Sequence, residues 1–167
     1  MIKRREPRTA LEIGTARGGT LFLLCRLAAG NAKIISLDLP HGPFGGGYSP
    51  LRIPLYKRFA RPGQSLHLLR ADSHSAATLE RVNKLLDGEL LDYLFIDADH
   101  TYEGVKKDFE MYAPLVRPGG MVVFHDIAQN QLGCEVPRFW NERKFRHPWS
   151  TVIIDPVESY GIGILEI

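Results

Sequence analysis

A doubly wound α/β domain is the fold these 167 residues predict: a mostly parallel seven-stranded sheet with an antiparallel C-terminal strand, in a three-layer α/β/α stack. Three observations carry that expectation. Short apolar runs alternate with helical periodicity five times along the chain, the signature of strands joined by crossover helices. The run Leu91 to Ile96 is apolar almost without a break, as in a strand covered on both faces. The unusual polar residues fall just after the strands, at the carboxyl ends where such sheets bind ligands.

Each element has its own local reason. Ala10-Leu11-Glu12-Ile13 is a strand that stops at a glycine. From Gly19 the apolar positions Leu21, Leu24, Cys25 and Ala28 follow helical spacing, and Gly30-Asn31 ends that helix. Lys33 to Leu37 is a second strand, closed by Asp38. Residues 39–50 are dense in Gly and Pro and form a loop. A helix is expected over Leu51 to Phe59 and a third strand over Leu66 to Leu69. Ser75 to Leu86 is helical, with Leu79, Val82, Leu85 and Leu86 assigned to one face. After the strand 91–96, Val105, Phe109 and Tyr112 mark a helix. Pro118-Gly119-Gly120 then turns into strand Met121 to Phe124, and Val136, Phe139 and Trp140 mark a last helix. Thr151 to Ile154 and Ile162 to Ile167 close the chain as two strands, with Pro156 and Gly161 between them.

Composition narrows the class. The length fits one domain, read here as residues 1–167 without a linker or repeat. With 44% hydrophobic and 24% charged residues, the chain reads as globular and soluble. A net charge of +2 is too small to argue for a nucleic-acid partner, and Lys3, Arg4, Arg5 and Arg8 read as a solvated tail. Cys25 and Cys134 lie among apolar residues without a CxxC spacing, so they read as core rather than zinc ligands or a disulfide. No run approaches the roughly 18 apolar residues of a spanning helix, and no apolar segment follows the N-terminal charges. A cytoplasmic protein without a membrane partner is the expectation.

The chemistry gathers at the strand ends. The first strand leads into Glu12-Ile13-Gly14-Thr15-Ala16-Arg17-Gly18-Gly19-Thr20. Glycines there let the backbone turn and approach a ligand, and the following helix offers free N–H groups. The spacing is not GxGxxG, which disfavours a dinucleotide pyrophosphate site. Asp38 can accept both hydroxyls of a ribose, and Asp72-Ser73 stands where a carboxylate could take an adenine amino group. A single such Asp is more often a helix cap, but three phased polar strand ends after an acidic glycine loop are harder to explain that way. Asp97-Ala98-Asp99-His100-Thr101-Tyr102 and His125-Asp126 follow the fourth and fifth strands. Adjacent strands bring Asp97 and Asp126 together, with His100 or His125. Clustered carboxylates repel unless a positive group compensates. Mg²⁺ is one candidate, with Asp97 and Asp126 as ligands. In the alternative, Asp97 holds a ligand's amino group while Asp99 and Thr101 cap the next helix.

Taken together, Glu12-x-Gly14-x-x-x-Gly18 resembles the first motif of class I S-adenosylmethionine-dependent methyltransferases, whose fold is Rossmann-like. Asp38 matches the acidic residue after their second strand. Residues 91–127 (LDYLFIDADHTYEGVKKDFEMYAPLVRPGGMVVFHDI) are similar to the small-molecule O-methyltransferase branch, in particular the group of macrocin O-methyltransferase and cephalosporin-hydroxylase-like proteins. The resemblance covers nearly the whole chain. It implies that Glu12, Gly14, Thr15 and Gly18 surround the methionine moiety, Asp38 the ribose, and Asp72 with Ser73 the adenine. It also implies a small-molecule acceptor, and a divalent cation on Asp97 and Asp126 in metal-dependent relatives. Here His125 and Ile127 flank Asp126, where relatives carry a third oxygen ligand. The catalytic candidates are His100 as base, then His125, with Asp97.

Relatives of this kind carry helices before the first strand, which close over the cofactor. The few residues that precede Ala10 here leave that role to the loop 39–50 and a second copy, or leave the site open. Uncovered apolar surface is therefore expected, and with it self-association as a homo-oligomer. The competing readings are a nicotinamide-nucleotide oxidoreductase and a cofactor-binding module without catalysis. The glycine spacing speaks against the first, the polar residues 97–100 against the second.

Overall fold

The computed structural model describes residues 6–128, 133–147, 149–154 and 161–167. Lys3, Arg4, Arg5 and Pro156 lie outside the described residues. The fold is organised around β1 (Thr9–Ile13), all five residues of which are buried. It pairs in parallel with β2 (Lys33–Asp38) on one side and β4 (Leu91–Ile96) on the other. β3 (Ser65–Arg70) extends the sheet beyond β2, and β5 (Val116–Phe124) beyond β4. β7 (Gly161–Glu166) runs antiparallel to β5, and β6 (Trp149–Ile154) forms the far edge. The order is β3-β2-β1-β4-β5-β7-β6. Successive crossovers run outward in opposite directions from β1 and β4, so the topological switch point lies between them, as the sequence requires.

Helices cover both faces. On one, α3 (Ala76–Leu86), α4 (Tyr102–Tyr112) and α5 (Val136–Arg143) bury Val82, Leu86, Val105, Phe109 and Phe139 against Leu11, Leu94 and Phe124. On the other, α1 (Gly19–Leu27) and the short α2 (Ile53–Lys57) bury Leu21, Leu24, Cys25 and Tyr56 against Ala10, Ile34 and Phe95. Cys25 and Cys134 are free thiols, and Cys134 packs at the edge of the first core. Among the described residues no helix is long and apolar enough to cross a membrane.

Three elements differ from the sequence expectation. β5 begins at Val116 rather than Met121. The backbone of Gly119 and Gly120 exchanges hydrogen bonds with Ile167, of 2.7 and 3.0 Å, so the turn itself joins the sheet. A register shift between Leu91 and Tyr93 absorbs the extra residues. The helix after the Gly-rich loop is a 3₁₀ turn over Pro50–Arg52 followed by only five α-helical residues. In α3 the fully buried residues are Thr78, Val82 and Leu86, while Leu79 and Leu85 are half-buried and pack against the same core.

The face carrying α1 is incompletely covered. A groove of about 420 Å³ beside α1 is lined by Leu23, Leu24, Tyr93, Met121, Val123 and Ile164, and reaches His125. The opposite core is more complete. Phe139 is 1% exposed and lies against Phe109, Phe124 and Tyr102, with ring centroids 5.6, 5.8 and 5.9 Å away. Phe139→Ala is expected to lower the unfolding free energy by about 3–5 kcal/mol. Urea titration should show an earlier midpoint at unchanged slope.

Candidate active site

The glycine loop after β1 is fixed by a steric constraint. Gly14 has φ +92°, and a Cβ there would lie 1.9 Å from the carbonyl oxygen of Asp97. No other residue fits, since both the conformation and the space exclude a side chain. The parallel ladder continues past the strands through Gly14 N–H to Leu37 O (2.9 Å) and Asp97 N–H to Ile13 O (2.9 Å). Gly14 and Asp97 therefore meet at the switch point. Ala16 also has positive φ, 42°, a strained value for a residue with a Cβ. It is held there from two sides: its N–H donates to Asp38 Oδ2 (3.0 Å) and its carbonyl accepts from the Tyr56 hydroxyl (2.9 Å). The Tyr56 ring sits against Gly18, where a Cβ would come within 2.8 Å of it.

Beneath the loop lies a buried acid. Glu12 is fully buried; its Oε2 accepts from Thr15 Oγ1 (2.7 Å), which shares a second hydrogen bond with Ser36 Oγ (2.7 Å). Its Oε1 has no partner. Burial pushes the Glu12 carboxyl up to about 8, opposed by the Thr15 hydrogen bond and reinforced by the charges of Asp97 and Asp38. An acid placed so is ready to take a donor from a ligand above the loop.

Asp38 ties two loops together. Besides Ala16 N–H it accepts Tyr48 N–H (2.9 Å), which folds the segment 39–50 back over the site. Burial raises its carboxyl, against the pull of these backbone donors. Asp72 Oδ1 accepts the His74 N–H (2.8 Å), and the buried Ser73 presents its carbonyl to the Tyr112 hydroxyl (2.8 Å). Gly14, Asp38, Asp72, Ser73 and Asp97 line one cleft together with Phe44, whose enclosed part is about 80 Å³. Thr15, Glu12 and Gly18 do not line this cleft; Thr15 hydrogen-bonds Glu12, and Gly18 lies against Tyr56.

At the other end of the cleft stands an acid–histidine cluster. His100 Nε2 lies 3.6 Å from Asp97 Oδ1 and 3.5 Å from Asp126 Oδ2. His125 Nδ1 lies 2.8 Å from Asp126 Oδ1 and 3.5 Å from Asp97 Oδ1. Asp126 is buried and has φ +59°, so the chain leaves β5 in a strained turn that aims its carboxylate inward. The Asp97 hydrogen bond raises the affinity of His100 for its proton, and Asp126 does the same for His125. Phe44 packs on His100 with centroids 4.9 Å apart, so the loop 39–50 supplies a cover. Asp99 and Thr101 do cap α4: Thr101 Oγ1 accepts Gly104 N–H (3.1 Å) and Asp99 Oδ1 accepts Thr101 N–H (2.9 Å).

Every site residue picked from the sequence thus lies at this end of the sheet. Sequence reasoning missed Ser36, Tyr48, Tyr56 and Phe44. Tyr56 carries no local signal, because it is 40 residues from the carbonyl it holds. Ser36 did carry one, as a lone polar residue inside an apolar strand.

The Glu12 acid yields a pH prediction. Its folded value lies above the unfolded one, so the native state binds more protons between about pH 4.5 and 8. Stability is highest below that window and falls as pH rises through it. Glu12→Gln should flatten this part of the urea-midpoint profile in the ligand-free protein. An unchanged slope would mean Glu12 ionises normally.

Comparison with known proteins agrees with the geometry. A family model described as a methyltransferase domain matches residues 11–127. The chain is 28% identical over 168 residues to an uncharacterized protein of Sinorhizobium fredii, covering 99% of this chain and 18% of that one. It is 34% identical over 126 residues to an uncharacterized protein of Acanthamoeba polyphaga mimivirus, covering 71% of this chain and 51% of that one. The chain therefore spans about a fifth and about half of these relatives' lengths. Among solved structures, an O-methyltransferase from Bacillus cereus in complex with SAH superposes with TM-score 0.73 at 18% identity, covering 99% of this chain and 77% of that one. The O-methyltransferase TomG from Streptomyces achromogenes, involved in tomaymycin synthesis and solved with SAM, gives 0.69 at 19%, covering 99% and 75%. These likenesses establish the Rossmann-like fold, and the match over residues 11–127 places the chain in the methyltransferase-domain family.

Proposed function

We propose that this domain transfers a methyl group from S-adenosylmethionine to a hydroxyl oxygen of a small molecule. One observation carries the reading: Asp97 lines the same cleft as Gly14, Asp38, Asp72 and Ser73 and also belongs to the cluster with His100 and Asp126. Glu12, Gly14, Thr15 and Gly18 would enclose the methionine moiety, Asp38 the ribose, and Asp72 with Ser73 the adenine. The similarity of residues 91–127 to the macrocin O-methyltransferase group belongs to the same reading.

Methyl transfer from a sulfonium needs the acceptor oxygen aligned behind the methyl carbon, so positioning supplies much of the rate. His100 takes the hydroxyl proton, and the carboxylates of Asp97 and Asp126 stabilise the imidazolium that results. His125 is the second candidate base, held by Asp126. The groove reaching His125 offers apolar surface for the body of the acceptor, and a second copy would cover what remains open. Light scattering at rising concentration should then reveal a dimer, and a clean monomer would remove that part of the reading.

One atom from each of Asp97, His100 and Asp126 lies within 4.8 Å of the others, which fits a single divalent cation. Such an ion would polarise the acceptor hydroxyl. The donors are two carboxylates and an imidazole, a mixed set that suits Mn²⁺ better than Mg²⁺ with its preference for oxygen.

S-adenosylmethionine and S-adenosylhomocysteine should bind in calorimetry and NAD should not; preferential NAD binding would end this reading. Asp38→Ala should weaken S-adenosylhomocysteine by about 1–3 kcal/mol, partly through the loops it releases. For catalysis, His100→Ala should cost on the order of 10²–10⁴-fold, with cofactor affinity retained. Full sensitivity to EDTA, relieved by Mn²⁺ or Mg²⁺, would shift the chemistry from the base to a metal, and His100→Ala should then also weaken the binding of that ion.

A further inference from the structure

Asp108 is the least explained charge in the fold. It sits on α4 with no exposed surface, and among the described residues neither carboxylate oxygen accepts a hydrogen bond of good geometry. A buried carboxylate is costly unless a cation compensates. The group beside it is His74, whose Nε2 lies 3.3 Å from Asp108 Oδ1 and 3.2 Å from the carbonyl of Gly104. The Gly104 carbonyl takes the Nε2 proton, and the Asp108 carboxylate beside it is the counter-charge. Ring geometry turns the second nitrogen, Nδ1, away from both. The His74 ring lines the cleft beside Asp72 and Ser73. The titratable groups around it are Asp108 and Tyr112 on α4, Asp72 on its own turn, and Asp99 across the cleft.

We propose that His74 is a cofactor-binding residue: paired with Asp108, its imidazolium donates from Nδ1 to a ring nitrogen of the adenine, while the Asp72 carboxylate accepts from the exocyclic amino group. The inference rests on the cofactor reading above and deepens it. A donor beside an acceptor matches the amino edge of adenine and mismatches that of hypoxanthine, whose carbonyl and ring N–H reverse the pattern. The Asp108 carboxylate beside it favours the charged ring. When the ring loses a proton, Nε2–H stays on the Gly104 carbonyl and Nδ1 becomes a lone pair facing the adenine lone pair. Affinity must therefore fall as pH rises through the His74 titration.

The test measures dissociation constants for S-adenosylhomocysteine and 5′-methylthioadenosine from about pH 5.5 to 8.5. The second ligand lacks the amino-acid moiety, so Glu12 and the His100 cluster do not read on it. Wild type should bind both on the order of tenfold more weakly at the alkaline end. His74→Gln keeps a donor but cannot titrate, so it should retain affinity within a few-fold and lose the pH step. His74→Phe should lose both, and Asp108→Asn should move the step to lower pH. An identical step in His74→Gln, or wild-type affinity in His74→Phe, overturns the proposal. If wild type binds neither ligand at any pH, the cofactor reading itself fails.

Discussion

The crossing of Gly14 beneath the end of β4 sets the dimensions of the whole cleft. Because no Cβ is tolerated there, the backbone of the glycine loop and the backbone of Asp97 lie in contact. That contact places β1 and β4 so that whatever enters above them meets both the loop and the Asp97 side chain. Tyr56 and Asp38 then hold the loop from outside, one at the Ala16 carbonyl and one at its N–H. Loosening any of the three would let the loop relax from its positive φ values, and the floor of the cleft would rise.

The same end of the sheet concentrates charge that folding alone would avoid. Glu12, Asp38 and Asp126 are buried near one another, with Asp97 half-buried between them. In an unliganded domain this arrangement costs stability, through desolvation and mutual repulsion. The opposite core, with its continuous aromatic packing of Phe109, Phe124, Phe139 and Trp140, offsets that cost. Structure and sequence therefore divide the labour: one face of the sheet supplies cohesion, and the strand ends hold a strained polar site.

The strand ends were legible in the sequence because burial and chemistry coincide there. A strand that needs apolar residues on both faces advertises its own termination when Asp38, Asp97 or Asp126 appears. The helix faces were less legible. In α3, Leu79 and Leu85 match the periodicity as well as Thr78 does, and only the position of the neighbouring elements decides which side is buried. The early start of β5 was hidden because Pro118-Gly119-Gly120 is a turn by local rules, and its partner Ile167 lies far away in the chain. The His74–Asp108 pair was invisible for a similar reason, being 34 residues apart and on different elements.

β6 deserves a last consequence. Among the described residues it pairs only with β7, and Val152, Ile153 and Ile154 are all about half exposed. Its outer edge offers a row of backbone donors and acceptors to any strand that arrives there. Two strands, β7 and β5, separate that edge from β4 and the cleft. The sheet can therefore grow on this side, by an inserted hairpin or a fused domain, without displacing the glycine loop or the Asp97 cluster. In evolutionary terms the domain has an open end for elaboration and a closed one for chemistry.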